Sequence, residues 1–205
     1  MKFFGLAVSL LALAAVVVVT LLARDPAVPG DPGSQTAASL DIDYASALAD
    51  ASGPLADLYA EGDTVIDTDD PVGELRSRID ALRGTPVVVN VWASWCGPCR
   101  QEFPSFQRVA ADRGTEVGFI GVDSEDLPAG AGETFLDDYP LPYPSLFDER
   151  GEIQSEELEL RRGLPATAFY DASGERVFVH QGPYLDPVDL EADIDRYLTG
   201  GDRAR

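Results

Sequence analysis

Hydrophobic residues follow two clear periods in the middle of the chain. Apolar side chains recur at helical spacing at Val72, Leu75, Ile79 and Leu82. A proline at the start of this segment and a glycine just after it are the expected helix signals, so the pattern predicts a helix over residues 71–83. The next stretch, "TPVVVNVWA", is an unbroken β-branched run, which is typical of a strand buried on both faces of a sheet.

Strands and helices continue to alternate toward the end of the chain. The run "TEVGFIGVDS" predicts a second buried strand, and the "ASG" turn predicts an antiparallel hairpin. The other expected segments are helices from about Cys96 to Asp112, in 130–139 and in 152–162, and strands in 143–148, 166–171 and 175–182. An amphipathic helix closes the chain, with apolar residues at Val188, Leu190, Ile194, Tyr197 and Leu198. This order predicts an α/β fold with a mixed central sheet flanked by helices.

The start of the chain has a different pattern. Residues 3–23, "FFGLAVSLLALAAVVVVTLLA", carry no charge. A helix of this length spans about 31 Å, which matches the roughly 30 Å of a bilayer's hydrocarbon core. The run is longer than the apolar part of a usual signal peptide and ends in a poor cleavage sequence. We therefore expect residues 1–23 to form an uncleaved transmembrane anchor, and the positive-inside rule favours an extracytoplasmic location for the rest of the chain.

A linker is expected between this anchor and the patterned region. Residues 24–39, "RDPAVPGDPGSQTAAS", are rich in proline and glycine and have no hydrophobic pattern, so they are interpreted as an extended stalk. Residues 40–60 contain leucine and alanine at loosely helical spacing, which predicts one or two short helices. The expected division is an anchor over 1–23, a linker over 24–61 and a folded domain over 62–205.

The charge balance of the chain is strongly acidic. Lysine and arginine total 15 against 36 aspartates and glutamates, which gives a formal net charge of −21. A nucleic-acid surface needs clustered basic residues, so a nucleic-acid partner is not expected. The excess of carboxylates is interpreted as a solvated face that keeps the protein soluble.

Both cysteines lie in the segment "WASWCGPCRQEFP", where three kinds of site are conceivable. A zinc site needs four ligands, and the chain offers two cysteines and one histidine. A purely structural disulfide is poorly placed here, because closing so small a loop constrains the unfolded chain little. A redox pair fits best, since Cys96 follows a buried strand at the start of a helix, where unpaired N–H groups stabilise a thiolate. We expect Cys96 to be the exposed attacking sulfur and Cys99 to lie beneath it on the same face of the turn.

This segment closely resembles the active site of thioredoxin-like proteins, and the wider match is to the membrane-anchored TlpA and ResA branch. The resemblance covers roughly residues 62–198. Pro104, eight residues after the first cysteine, matches the proline inside the family's active-site helix. "GLPATAFYD" resembles the segment with the family's cis-proline, here the Leu164–Pro165 bond. The long connection from Asp123 to this loop resembles the inserted strand and helix of that branch, so the resemblance implies a thioredoxin fold with a TlpA/ResA-type insertion.

The resemblance also implies the roles of the site residues. Cys96 attacks a partner disulfide, and Cys99 resolves the mixed disulfide that forms. Substrate contact and support of the cysteine pair are expected from Trp95, Gly97, Pro98, Leu164 and Pro165. The redox-active group is then the Cys96–Cys99 disulfide itself, with no cofactor and no metal.

One position departs from thioredoxin itself. Six residues before the first cysteine, thioredoxin has a buried aspartate, whereas this chain has Asn90. An amide cannot take the proton of the resolving thiol. Glu102, three residues after Cys99, matches an acidic residue of ResA-like proteins near their cysteines, so proton transfer is expected to fall to Glu102 or to water. A solvated helix residue is the alternative interpretation of Glu102.

Two other functions are alternatives to the thioredoxin-like one. Copper delivery by a cysteine pair and a distal histidine, as in Sco-like proteins, uses CxxxC spacing, whereas this chain has CxxC; the single histidine, His180, is expected to be an ordinary surface residue. A peroxiredoxin site has a threonine three residues before the cysteine, and this chain has Ala93 there. A redox-linked copper metallochaperone or binding module is kept as the alternative function.

The sequence therefore predicts a membrane-tethered, extracytoplasmic thiol–disulfide oxidoreductase. It is expected to reduce disulfides of exported proteins, apocytochrome c among the candidates, and to receive electrons from a membrane donor such as a CcdA- or DsbD-like protein. Contact with the membrane is expected through residues 3–23.

Overall fold

The computed structural model describes residues 40–160 and 162–200. Within this range the strands are β1 (Val65–Ile66), β2 (Val87–Trp92), β3 (Gly118–Ser124), β4 (Ser145–Asp148), β5 (Ala166–Tyr170) and β6 (Arg176–Gln181). The α-helices are α1 (Tyr44–Ala47), α2 (Pro54–Ala60), α3 (Pro71–Ala81), α4 (Gly97–Arg113), α5 (Ala131–Asp138) and α6 (Pro187–Ile194). Two single π-helical turns, Ile153–Glu157 and Asp195–Thr199, complete the described elements.

The described strands form one mixed sheet in the order β1-β4-β3-β2-β5-β6. β1, β4, β3 and β2 run parallel to one another, while β5 is antiparallel to β2 and β6 is antiparallel to β5. Because β2 and β3 are parallel, their carboxyl ends lie at the same edge of the sheet, and β5 starts at that edge. The mixed α/β arrangement predicted from the alternation of strands and helices is confirmed.

Alternate residues of β2 face two different hydrophobic cores. Val88 and Trp92 pack in the core that includes residues of α4, α5 and α6, and Val87, Val89 and Val91 pack in the core that includes residues of α2 and α3. All six residues of β2 are buried. An unbroken apolar run therefore marks a central strand covered on both faces.

Two predicted helices differ from the structure, and one strand was not predicted. The helix expected over residues 152–162 is only one π-helical turn, and Glu159 with φ 50° lies outside the helical region just after it. The closing helix is divided into α6 and a π-helical turn. The two-residue strand β1 was not predicted, because it is too short to show a period.

Residues 40–61 belong to the folded domain and not to a separate linker. The short helices expected in this region are present as α1 and α2, and Leu55 and Leu58 are buried in the core beside α3. The hydroxyl of Tyr59 donates to the carbonyl of Val117, 2.8 Å away. The domain start predicted at residue 62 is therefore too late, since burial of these leucines joins the preceding helices to the core.

The predicted anchor over residues 1–23 and the stalk over 24–39 lie outside the described residues. Among residues 40–160 and 162–200, no helix has both the length and the apolar character needed to cross a bilayer.

Candidate active site

The two cysteines are joined in a disulfide at the first turn of α4. β2 ends at Trp92, a short turn follows, and Cys96 is the N-cap residue of α4. The backbone N–H of Cys99 donates to Cys96 Sγ at 3.2 Å. Cys96 is 4% exposed and Cys99 is 0% exposed. Cys96 is only slightly more accessible than Cys99, and the expectation of an exposed Cys96 is wrong for the disulfide form, because both residues pack in the core.

The sequence of the turn explains why the helix starts at this point. Gly97 and Pro98 are exposed at the first two helical positions. A proline is tolerated here because the first turn has no intrahelical partner for its N–H group. The remaining unpaired N–H groups and the helix dipole favour negative charge at the N-cap. The arrangement therefore suits a thiolate on Cys96 after reduction.

The Leu164–Pro165 loop lies at the same edge of the sheet as the disulfide. The Leu164–Pro165 peptide bond is cis, which confirms the expectation from the resemblance. Pro165 immediately precedes β5, whose first residue pairs with Val91 near the end of β2. The carbonyl of Pro165 accepts a hydrogen bond from Gly182 N at 3.0 Å. The structure thus brings the proline loop and the cysteine turn to adjacent strand ends.

Glu102 is fully buried, one helical turn after Cys99. Its Oε1 accepts a hydrogen bond from Asn90 Nδ2 at 2.8 Å, and its Oε2 accepts one from Tyr184 N at 3.2 Å. The interpretation of Glu102 as a solvated helix residue is wrong, since its exposed fraction is 0%. We call Asn90, Glu102 and Tyr184 the Glu102 cluster.

Burial controls the protonation of Glu102. Removal from water raises the pKa of this carboxyl from 4.5 to about 8, and the hydrogen bonds from Asn90 and Tyr184 only partly oppose the rise. A carboxyl of this pKa changes its protonation state near neutral pH, where a general acid or base is most effective. The cluster can therefore hold or release a proton beside the cysteine pair.

A row of polar side chains crosses the sheet and begins at Asn90 of the Glu102 cluster. Asn90 of β2 is directly opposite Thr167 of β5, which is opposite His180 of β6, so the three share one face. Among the described residues, the buried Asn90 Oδ1 and Thr167 Oγ1 have no hydrogen-bond partner. The ring of His180 is partly buried and stacks on Tyr184 with a centroid distance of 4.2 Å. His180 is therefore less exposed than the surface position predicted for it.

A second buried carboxylate holds the turn before the cysteines. Asp126 Oδ2 accepts from Ser94 N at 2.7 Å, and its Oδ1 accepts from Ser94 Oγ at 2.8 Å. The guanidinium of Arg100 donates to Ser94 O from Nε at 2.8 Å and from Nη2 at 2.6 Å. We call Ser94, Arg100 and Asp126 the Ser94 clamp. It fixes the backbone that leads into Cys96.

Asp123 lies beside the Ser94 clamp at the end of β3. Its carboxyl is buried against the first turn of α5, where a side-chain carbon on Gly132 would lie 2.0 Å from Asp123 Oδ2. Burial, together with the neighbouring carboxyls of Asp126 and Glu133, raises the pKa of Asp123 to about 9. Asp123 is therefore protonated at neutral pH.

Trp95 is exposed beside the disulfide. Its side chain is 58% exposed, and its indole N–H donates to the carbonyl of Glu125 at 3.1 Å. The hydrogen bond orients the ring while leaving its apolar surface open to solvent. Trp95 therefore presents an apolar surface to solvent next to the cysteine pair, and its contact with a partner polypeptide stays a prediction.

Sequence reasoning missed the Ser94 clamp and Asp123. The acidic residues of "VDSED" follow a predicted buried strand, and this was the available signal. The contact with Ser94 depends on the pairing of β2 with β3, which brings together residues 32 positions apart. Tyr184 was missed because it contributes a backbone N–H group, which has no sequence signature.

Metal ligands are not assembled within the part of the chain that the structure describes. In residues 40–160 and 162–200, no group of three or more histidine, cysteine, aspartate or glutamate side chains is arranged to hold a metal ion.

The mixed sheet, the CxxC disulfide at a helix N-terminus and the adjacent cis-proline loop define a thioredoxin-like thiol–disulfide oxidoreductase. A model described as the AhpC/TSA family matches residues 62–175. The match covers more than half of the chain, which therefore belongs to this family.

Similar proteins carry disulfide-exchange names. The chain is 29% identical over 133 residues to "Thiol-disulfide oxidoreductase ResA" of Oceanobacillus iheyensis, covering 61% of this chain and 67% of that protein. It is 34% identical over 133 residues to "Thiol:disulfide interchange protein HelX" of Rhodobacter capsulatus, covering 64% of this chain and 72% of that protein. The solved structure of MTB dsbF superimposes with a TM-score of 0.51 and 31% identity, covering 57% of this chain and 83% of that chain. The thioredoxin-like fold and the oxidoreductase class predicted from the sequence are confirmed.

Proposed function

We propose that this protein reduces disulfide bonds of exported proteins on the extracytoplasmic side of a membrane, through the dithiol of Cys96 and Cys99. The observation that carries the proposal is the pairing of a disulfide at a helix N-terminus with the buried Glu102 carboxyl one turn away. The first feature suits a nucleophilic thiolate, and the second suits removal of a proton from the other thiol.

The reaction begins with the reduced pair. The Cys96 thiolate attacks one sulfur of the substrate disulfide, forms a mixed disulfide and releases the other substrate sulfur, which takes a proton from water. The Cys99 thiol then loses its proton, and its sulfur attacks Cys96 Sγ. The mixed disulfide breaks, the second substrate thiol leaves, and the Cys96–Cys99 disulfide forms. Two electrons pass from the protein to the substrate.

Glu102 receives the proton of Cys99 in the second step. Cys99 is fully buried, and burial disfavours a thiolate, so the thiol needs a nearby acceptor. Asn90 cannot serve as a base, but its amide holds Glu102 Oε1 in place. The proton reaches solvent or the departing substrate sulfur after the exchange.

The exposed positions around the pair receive the substrate. Trp95, Gly97 and Pro98 surround Cys96 on its solvent side. The Leu164–Pro165 loop lies beside them at the start of β5, where an extended polypeptide can align with the end of the sheet.

The proposal also includes the location of the protein and the source of the electrons that reduce its disulfide. Residues 3–23 anchor the protein in the membrane, residues 24–39 connect the anchor to the domain, and a CcdA- or DsbD-like membrane protein supplies electrons. Apocytochrome c is the substrate to test first. The length and apolar character of residues 3–23 and the thiol–disulfide oxidoreductase name of the ResA relative support this arrangement.

The deciding experiment follows a single turnover of the pre-reduced full-length protein with a disulfide-bonded test protein. We expect Cys96→Ser to abolish reduction, because no other residue can attack. We expect Cys99→Ser to accumulate a mixed disulfide visible on a non-reducing gel. Normal reduction by the Cys96→Ser variant would refute the mechanism. The intact mass of the membrane-bound protein checks the anchor, since a soluble chain starting near Ala27 would contradict it.

A further inference from the structure

The surface on the β3 side of the disulfide carries two highly exposed apolar side chains. Trp95 is 58% exposed and Leu127 is 69% exposed. Pro128, next in the chain, is also exposed. We call these three residues the Trp95–Leu127 patch. Single exposed apolar residues are common on protein surfaces, but a cluster beside a reactive group marks an interaction site.

The backbone beneath the patch is held by polar contacts. Asp126, immediately before Leu127, accepts both hydrogen bonds from Ser94, immediately before Trp95. The carbonyl of Glu125 accepts from the Trp95 indole, while Glu125 N donates to Asp148 O at 2.9 Å. Glu125 adopts φ 58°, an uncommon conformation for a residue with a side chain. The loop and the cysteine turn are therefore fixed to each other, and the apolar side chains are displayed on a preorganised base.

A cavity beside the patch offers room for an apolar side chain. Its volume is about 570 Å³, and its lining includes Pro128 of the patch, Phe135, Tyr139 and Arg100, whose guanidinium carbon lies 5.3 Å from the centre of the Phe135 ring. The rings of Phe135 and Tyr139 stack with a centroid distance of 4.6 Å. Asp138 lines the same cavity, and Glu125 is exposed at the edge of the patch.

We propose that the Trp95–Leu127 patch binds a cysteine-bearing segment of the protein substrate that has an apolar side chain near its cysteine and a net positive charge. The Leu164–Pro165 loop is on the β5 side of Cys96, and the patch is on the β3 side. A substrate whose cysteine lies over Cys96 therefore reaches both. The positive charge follows from the chain's net charge of −21 and from Glu125 and Asp138, two carboxylates near the patch against one guanidinium, that of Arg100, in the cavity lining. This inference rests on the proposed reductase function.

The test uses disulfide-linked dimers of short peptides, each peptide with one cysteine. One peptide has leucine beside the cysteine and lysines farther away, the second has serine in place of leucine, and the third has glutamates in place of the lysines. The pre-reduced full-length protein transfers two electrons to each dimer and releases two peptide thiols. The measured quantity is the second-order rate constant, and oxidised glutathione serves as a small disulfide without side chains for the patch.

We expect the wild-type protein to reduce the leucine–lysine peptide about tenfold faster than the serine peptide, since partial burial of one leucine is worth that factor. Leu127→Ser should remove this preference, measured as the ratio of the rate constants for the two peptides with the same protein. The glutamate peptide should react several-fold more slowly than the lysine peptide at low salt, and the difference should shrink as salt is added. Val177→Ser, a substitution of an exposed apolar residue on β6, is the matched control and should keep the preference.

The possible outcomes separate this proposal from the function on which it rests. If Leu127→Ser retains the full preference for leucine, the patch does not bind the substrate, although the reductase remains. If the glutamate peptide reacts as fast as the lysine peptide at low salt, the proposed charge of the partner is wrong. If the wild-type protein reduces none of the dimers and no oxidised glutathione, the proposed function itself fails.

Discussion

The two buried carboxylates near the cysteines, Glu102 and Asp126, have different partners and are suited to different tasks. Glu102 accepts from one amide side chain and one backbone N–H group, across elements that are far apart in the chain. Asp126 accepts from the backbone and the hydroxyl of one residue, Ser94. The Glu102 carboxyl can therefore bind and release a proton, whereas the Asp126 carboxyl fixes the backbone turn at Ser94.

This difference shows that the degree of burial alone does not decide what a carboxyl can do. Glu102 and Asp126 are almost equally buried, at 0% and 1% exposed. Their surroundings divide the roles, because burial raises the pKa of Glu102 to about 8, while at the clamp the carboxyl with the raised pKa is Asp123, at about 9. The raised pKa therefore belongs to Asp123 beside the clamp, whereas both oxygens of Asp126 accept hydrogen bonds from Ser94.

The largest expected effect is on the rate at which the mixed disulfide is resolved, and it distinguishes Glu102 from Asp126. Glu102→Gln should slow resolution of the mixed disulfide about 100-fold while leaving the attack by Cys96 nearly intact, because loss of a general base has this magnitude. In the wild-type protein the resolution rate should rise with pH up to about 8, as Glu102 ionises, and this rise should be absent from Glu102→Gln. Rapid-mixing measurements across pH check both expectations.

Asp126→Asn is the matched control at the clamp, since it also changes a buried carboxyl to an amide. It should leave the pH dependence of resolution in place. Adding Asn90→Asp to Glu102→Gln should recover part of the rate by returning a carboxyl to the cluster. Resolution at the wild-type rate at every pH in Glu102→Gln would show that the carboxyl has no part in proton transfer.

The next expected effect concerns stability. Asp126→Ala removes both hydrogen bonds to Ser94 and leaves two donors without their acceptor, which should destabilise the domain by about 2–3 kcal/mol. Urea unfolding of the full chain in the oxidised state measures the loss. Asp137→Ala, at an exposed carboxyl on α5, is the control and should change the free energy of unfolding by less than about 0.5 kcal/mol. Equal stability of Asp126→Ala and Asp137→Ala would mean that the clamp contributes nothing.

A smaller effect is expected in the pH dependence of stability. The folded-state pKa values of Glu102 and Asp123 lie above their ordinary values of 4.5 and 3.8. Their contribution to stability is therefore fully present below about pH 4 and is lost as pH rises through 8 and then 9. The urea midpoint should fall as pH rises from about 5 to about 9, and the fall below pH 8 should be less steep in Glu102→Gln, which lacks the contribution of this carboxyl. A midpoint that rises over this range would contradict the two assignments.

The smallest expected effect is at Thr167. Its buried hydroxyl has no hydrogen-bond partner among the described residues, so Thr167→Val should keep the shape of the side chain and stabilise the domain by about 1 kcal/mol. Thr134→Val provides a comparison at an exposed threonine whose hydroxyl donates to Gly130 O. Loss of stability in Thr167→Val would indicate that the hydroxyl is paired, for example through a water shared with Asn90.

Strands and helices with long, regular hydrophobic patterns could be predicted from the sequence, whereas contacts between residues far apart in the chain could not. The runs that form β2, β3 and α4 show their period and their end signals within one segment, so their positions were close to correct. Local signals also placed the cysteines at the start of α4, whereas the proline loop was expected only from the resemblance to thioredoxin-like proteins. The bond from Tyr184 N to Glu102 joins positions 82 apart and depends on how β6 returns to the active-site edge. The hydrophobic pattern around Glu102 and the one around Tyr184 do not indicate that these two residues meet.

The expected helix over 152–162 illustrates the same limit in a local element. Its glutamate, leucine and arginine residues favour a helix, but the chain forms one π-helical turn that buries Ile153 and then turns at Glu159. Tyr170 of β5 donates to Glu157 at the end of that turn. The tertiary contact, which the sequence does not display, competes with the helical preference of the segment.

The hydrogen bond between Tyr184 N and Glu102 has a consequence for the order in which a growing chain becomes functional. The ribosome delivers both cysteines and Glu102 long before it delivers the residues that cover them. A chain stopped just before Gly182 contains every thiol and carboxyl of the site but lacks the donor for Glu102 Oε2 and the N–H that binds Pro165 O. The reactive pair and Glu102 therefore lack these partners until the chain has been synthesised past Tyr184.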